Sequence, residues 1–535
     1  MSGNVRRTLR RVVVAVALLD ALGLVAAGLI AAGGPGLAGR VLGGLPRGPR
    51  AALGRSGGVP ADAAGWVAAE NQRTGTTAWR IRELGPPHAI EGYADHAGAG
   101  AGETVRLYVS TEARWFRVEA YRMGWYGGRR GRLVWRSGRL AGRRQAGPVT
   151  DPITNMTEAR WQPSLRVRVG PRWPPGAYLL KLVASSGAER YVPLTVTDAS
   201  SGAALVLMNA VTTWQAYNDW GGRNLYWGPG GPVDYAHRSR VASFDRPYRA
   251  GMGAADFLGN ELPLISLAER EGLDVTYWTD ADLHRHPERL VRHRGLVSLG
   301  HDEYWSTAMR RGAERARDHG VNLAFLGANA VFRHIRLEPS RLGPDRHEVN
   351  YKFPARADPV YSTDRSEVTT NWREPPLDRP ERALLGQQYE CNPARADGVV
   401  VEPGSWLLAG TGLRAGSALP DLVGPEYDRV VAGAAAPRGV ELLLHSPLRC
   451  RFHSSFSDVT WYTVASGAGV LDTGTSSWVC ELDEVCGGGR SHRRTAAAVR
   501  RITLNLLRAM AAGPAGLAHP SRSNLHRFDL RPSGL

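Results

Sequence analysis

Apolar and polar residues alternate with a period of two over five stretches between about Ala89 and Thr197. ETVRLYVST, WFRVEAYRMG, SLRVRVG, AYLLKLVAS and RYVPLTVTD each set an apolar face against a polar one, with Gly/Pro turns between them. The pattern predicts short antiparallel strands, and together they predict a β-sandwich over residues 66–198. Beyond Asp198 the period changes. ALVLMN (204–209) is almost wholly apolar, as expected of a strand covered on both faces. ADFLGNELPLISLAEREG then predicts helix, DVTYW a strand, GLVSLG (295–300) a third strand, STAMRRGAERARDHG a helix and VNLAFLG (321–327) a fourth strand. Strands alternating with helices predict a parallel sheet flanked by helices, placing an α/β domain over 199–535. A last helix is expected near 493–511, packed on that sheet. The fold class is therefore α/β plus all-β.

The N-terminus carries a different signal. Arg6, Arg7, Arg10 and Arg11 precede an apolar run from Val12 to Ala32, about 30 Å of helix and enough to cross a hydrocarbon core. This predicts a cytoplasmic tail (1–11), a membrane anchor (12–33) and a Gly/Pro/Ala/Arg-rich linker (34–65), with the remaining domains outside the cytoplasm. Asp20 opposes insertion by about 2.5–3.5 kcal/mol, and a cleaved signal peptide processed near Ala31–Gly34 is the alternative. Cys391, Cys450, Cys480 and Cys486 are even in number, which agrees with export. Cys480 and Cys486 flank a short loop and are expected to pair, leaving Cys391 with Cys450, although three connectivities are formally open. No CxxC favours zinc.

Composition adds two exclusions. A hydrophobic share of 43% with 16 Trp and 17 Tyr rules out a mainly disordered or collagenous chain. The net charge of +17 is built almost entirely of arginine spread along the chain, lysine occurring only at Lys181 and Lys352. No nucleic-acid partner is expected from a charge so distributed. A lysine kept among so many arginines marks Lys352 as a place for a compact, titratable ammonium.

Chemistry in an open α/β sheet is expected beyond the carboxyl ends of its strands. The first strand leads into TTWQAYNDWGGRNLYW, the third through Gly300 into HDEYW, and the fourth through Gly327 into Ala328 and Asn329. A strand, turn and helix at 300–310 has the form of a nucleophile elbow, but Asp302 and Glu303 stand where Ser or Cys would act. Ser306 is expected to cap the following helix. Carboxylate, imidazole and phenol together suit a hard cation such as Fe(III), a Lewis acid toward carbonyls. His301 lies two residues from Glu303, so an extended turn presents both to one side.

These segments resemble a known family. TWQAYNDWGGRNLY, SFDRPY, EGLDVTYWTDADLH, GLVSLGHDEYWS, VNLAFLGANA and SGAGVLDTGTSSWV are similar to the C-terminal domain of the N,N-dimethylformamidase large subunit, and IEGYAD with YRMGWYGG to its preceding part, over roughly 85–530 in all. The resemblance implies a fold like that of class I glutamine amidotransferases without their cysteine. It implies mononuclear iron held by Tyr217, Tyr226 and Glu303, with Tyr235 as the rival for the second phenolate. It makes His301 an acid/base group, Asn329 an orienting group and Lys352 a neighbour of the metal. The activity implied is hydrolysis of an amide-type C–N bond in a small molecule. A non-catalytic envelope protein binding glycan or a partner is the alternative, and a glycan hydrolase using Glu303 with Asp245 or Asp302 a third reading. A second copy of the chain is a candidate partner.

Overall fold

The computed structural model describes residues 65–353, 355–483 and 492–531. The predicted anchor at 12–33, the linker to residue 64 and Cys486 lie outside the described residues. Among the described residues no helix is long and apolar enough to cross a membrane. The chain is a mixed α/β protein with several sheets.

The period-two stretches form strands Thr104–Thr111, Trp115–Met123, Leu165–Arg168, Gly176–Ala184 and Glu189–Thr197. They belong to a three-stranded and a six-stranded sheet. The sheets share one core, in which Ile90, Val105 and Leu107 meet Val118, Leu180, Leu182 and Val192.

The second half is built on a seven-stranded sheet. Its strands are β1 (Leu205–Asn209), β2 (Val275–Thr279), β3 (Gly295–Ser298), β4 (Asn322–Phe325), β5 (Glu441–Cys450), β6 (His453–Thr463) and β7 (Gly469–Asp472). Their order is β2-β1-β3-β4-β7-β6-β5. The first five in that order are parallel, and the β6–β5 hairpin adds an antiparallel edge. Every residue of β1, β2, β3, β4 and β7 is buried, which is why these strands lack alternation. The chain leaves β1 toward one edge and returns to β3 on the other side of β1. That reversal opens a crevice at the carboxyl ends of β1 and β3.

The two halves are fastened together. Trp66, Tyr121, Leu179 and Tyr191 share a core with Leu205, Ile265 and Leu506. Inside it Arg122 pairs with Glu269 at 2.5 Å, neither side chain exposed, and Tyr277 donates to the same carboxylate. A disulfide joins Cys391 to Cys450.

Two local expectations change. The stretch read as one helix is two, Phe257–Asn260 and Leu262–Arg270. The break falls at Glu261, whose carboxylate accepts from Ala210 N, Trp214 Nε1 and Asn209, followed by Pro263 at the start of the next helix. At 300–310 there is no elbow. Gly300 turns the chain (φ 53°), but His301–Glu303 lead into a short strand, Tyr304–Ser306, paired in parallel with Arg333–Ile335. The helix Thr307–Asp318 begins only after that, capped by Ser306, which accepts from Met309 N.

Candidate metal centre

Three turns at the crevice build the site. β1 passes through Ala210 into the helix Val211–Tyr217, which delivers the Tyr217 ring from its last residue. The Trp/Asn/Gly-rich loop beyond it is ordered by buried amides. Asn224 accepts from Tyr226 N and Trp227 N at 2.8 and 2.9 Å and donates to Tyr217 O. Leu225 N binds Ala216 O, and the buried Arg246 guanidinium ties Trp220 O and Arg223 O. Tyr226 is thereby folded back over Tyr217, ring centroids 4.6 Å apart.

Glu303 arrives from β3. Thr213, on the helix that carries Tyr217, accepts from Glu303 N at 2.9 Å, so one helix positions both groups. The turn needs glycine twice. A Cβ on Gly300 would lie 2.4 Å from Asn260 O, and one on Gly327 2.0 Å from Gly300 O.

The three side chains converge on one point. Tyr217 Oη donates to Glu303 Oε2 at 2.5 Å. Tyr226 Oη lies 2.8 Å from Tyr217 Oη and 2.8 and 2.7 Å from the two Glu303 oxygens. Two ligands at right angles, each about 2 Å from a common ion, would stand about 2.8 Å apart, so the spacing fits a small hard cation. Burial first, then Glu303, pushes both phenols well above their ordinary range. Burial alone would raise Glu303 too, but Arg333, Lys352 and His301 outweigh it and hold it low. An all-oxygen set with one carboxylate and two phenols whose protons a cation displaces suits a hard cation.

His301 stands at the mouth. It and Tyr217 are the partly exposed members of the cluster, with Glu303 and Tyr226 buried, and their rings lie 5.3 Å apart. His301 Nε2 is 3.1 Å from Glu426 Oε2 and 3.7 Å from Glu303 Oε2. Burial alone would lower the imidazole, but Glu426, Glu303 and Asp256 push it up to about 9. Lys352 Nζ sits 3.1 Å from the Tyr226 ring centroid. Asn329, in a left-handed turn (φ 60°), donates its backbone N–H to Asp428 at 2.7 Å, and its side-chain oxygen has no partner among the described residues. Tyr235 is elsewhere, in the turn Tyr235–His237 under the Arg238 guanidinium.

Arg333 and Glu426 were not singled out from sequence. Arg333 Nε donates to Glu303 Oε1 at 3.0 Å. Glu426 is held by Asn392 Nδ2 at 3.0 Å. Neither lies in a motif, and no local signal marks them. Asp245 and Asp302 are tied up in turns, Asp302 accepting from Ser298 Oγ and Asp245 from Ser340 Oγ.

A second group with ligand chemistry lies apart from this centre. Ligand atoms of Glu158, Asp245 and His347 all fall within 4.8 Å of one another. Here Arg160 holds Glu158 at 2.8 Å and Arg346 holds Asp245 at 2.5 Å. A small cavity at the seam between the halves, lined by Tyr93, Tyr178, Trp214, Tyr248 and Arg346 among others, shares no residue with the Tyr217/Tyr226/Glu303 cluster.

Residues 117–492, well over half of the chain, match a family model described as N,N-dimethylformamidase beta subunit-like, C-terminal. No curated protein matches the chain.

Proposed function

The chain belongs to the N,N-dimethylformamidase beta subunit-like family, and we propose from that membership that it hydrolyses an amide-type C–N bond with ferric iron held by Tyr217, Tyr226 and Glu303. The observation that carries the proposal is the meeting of two phenol oxygens and a carboxylate within 2.8 Å. Iron there supplies Lewis acidity toward a carbonyl and lowers the pKa of water.

The chain's own groups do the rest. The ammonium of Lys352 and the guanidinium of Arg333 offset the negative charge that Glu303 and two ionised phenols bring. Water adds to the amide carbon, the C–N bond breaks, and the leaving nitrogen needs a proton. His301 Nε2 gives that proton at the open side of the site, and the proton lost by the water restores it, with Glu426 holding the imidazole in place. Asn329 Oδ1, buried and without a partner among the described residues, would orient a water or a substrate N–H.

We propose further that residues 66–198 form a sandwich and 199–535 an amidotransferase-like domain. The parallel order β2-β1-β3-β4-β7 supports the second. The apolar run behind four arginines supports an anchored, exported protein.

The test is elemental analysis and a visible spectrum of the full-length protein. Near-stoichiometric iron with a phenolate charge-transfer band is expected, the band weakened and shifted in Tyr217→Phe and the metal lost in Glu303→Ala. Protein that neither carries iron nor takes it up would overturn the proposal and favour a binding role.

A further inference from the structure

Behind the Asn329 turn lies a second oxygen cluster that the proposed reaction does not use. It is assembled from four segments. Asp472 ends β7, and Thr460 of β6 stands directly opposite it in the ladder, so the two side chains share a face of the sheet. Asp428 belongs to the short strand Tyr427–Arg429 and is anchored by its N–H to Gly474 O. Gln387 precedes the partner strand Gln388–Cys391, and its Nε2 donates to Asp472 O at 3.1 Å.

All four side chains are fully buried. Each has an oxygen with no hydrogen-bond partner among the described residues: Asp428 Oδ2, Asp472 Oδ2, Gln387 Oε1 and Thr460 Oγ1. Burial, then the charge of Asp472, pushes Asp428 far up. Burial pushes Asp472 up to about 8. A proton shared between the carboxyls would relieve their repulsion, but it gives nothing to the amide oxygen. Nor does turning the amide over help, since that forfeits the bond to Asp472 O. The Gln387 amide lies against Gly474, where a Cβ would stand 2.8 Å from its Nε2.

We propose that Asp428, Asp472, Gln387 and Thr460 form a buried site for a calcium ion. Two carboxylates, an amide oxygen and a hydroxyl, with no nitrogen or sulfur among them, are ligands for a hard cation. Calcium fits better than magnesium, which insists on keeping several of its waters. The ion's place gives it a task. Asp428 Oδ1 accepts from Asn329 N, and Thr473 Oγ1 and Thr475 N both bind Gly327 O. Calcium here would brace the turn that presents Asn329, independently of iron at Glu303.

Elemental analysis and thermal unfolding of the full-length protein test this. About one calcium per chain is expected to survive gel filtration in low-calcium buffer, with a midpoint lower in chelator than in millimolar calcium. Asp472→Asn should abolish both effects. Gln387→Leu, which keeps both carboxylates, should weaken calcium binding about tenfold or more and serves if Asp472→Asn does not fold. Glu303→Ala should lose iron but keep calcium, so failure of one site is distinguishable from failure of the other. Wild-type protein without calcium and with a midpoint indifferent to it would overturn the proposal. So would a higher midpoint in Asp472→Asn, the mark of two carboxyls that merely share a proton.

Discussion

The Glu158/Asp245/His347 cluster and the Tyr217/Tyr226/Glu303 cluster both gather metal-capable side chains, and they differ in what already occupies the oxygens. At Glu158, Asp245 and His347 the carboxylates are held by guanidinium groups. Arg346 spends its donors on Asp245 and on Asp95 O, Ala94 O and Phe244 O, and Ser340 Oγ takes the other Asp245 oxygen at 2.6 Å. A guanidinium keeps its proton at any accessible pH, so a metal would have to displace a whole buried side chain. At Tyr217, Tyr226 and Glu303 the Arg333 guanidinium holds one carboxylate oxygen, Oε1, but Oε2 and the two phenol oxygens are bonded to one another through phenol protons. Those protons leave when a cation enters. Proximity of ligand atoms is common to both places; only the second has bonds a metal can replace.

The strongest way to break this contrast is Asp245→Asn. It leaves Arg346, 6% exposed, without its counter-charge. Stripping one partner from a buried pair costs about 3–5 kcal/mol, and thermal or denaturant unfolding should show a loss of that order with iron content unchanged. A variant that kept its stability but lost metal would move the metal centre to this cluster.

How far each place was legible in sequence follows from the distances along the chain. The strands from Thr104 to Thr197 announced themselves through the period-two alternation of their sequences, a local property, although Gly176–Ala184 is buried at every residue. So did β1, β3 and β4, whose unbroken apolar runs have no wet face at all. The turn residues His301, Glu303 and Asn329 were marked by following closely on such strands, whereas Tyr217 and Tyr226 were marked only by the family resemblance. Glu426 was not. It reaches His301 from over a hundred residues downstream, and nothing around GPEYD distinguishes it from any surface loop. Asp245 and His347 meet because the strand Val241–Ser243 pairs with Gly343–Val349, setting Ser243 opposite His347, and Glu158 joins them where Ala159 N binds Asp245 O. The antiparallel hairpin of β5 and β6 went unseen for a similar reason, since its role is decided by which edge of the sheet stays open.

A smaller effect separates the two places by pH. His347 first, then Arg160, outweighs burial and holds the Glu158 carboxyl at about 2 against an ordinary 4.5. The folded chain therefore takes up this proton less readily than the unfolded chain. The stability Glu158 contributes is complete above about pH 5 and is lost as pH falls toward 2. With Arg160 in solvent the contribution should be about 1–2 kcal/mol. Unfolding of wild type and Glu158→Gln should differ by that much near about pH 6 and converge only near about pH 2. A difference that grew on acidification would reverse the assignment of the depressed group.

The least effect belongs to Arg160→Ala. The Arg160 side chain is 60% exposed while its partner Glu158 is 6% exposed, so the pair gains little in water and pays side-chain entropy to form. Exposed pairs of this kind contribute about 0–1 kcal/mol, and the midpoint of Arg160→Ala should stay close to wild type. The comparison with Asp245→Asn then isolates burial, because both changes remove one arginine–carboxylate pair from the same cluster. If Arg160→Ala destabilised the protein as much as Asp245→Asn, the cluster would be one cooperative charge network rather than a buried pair with a surface arm. Its resistance to metal would then rest on all of its charges and not on Arg346.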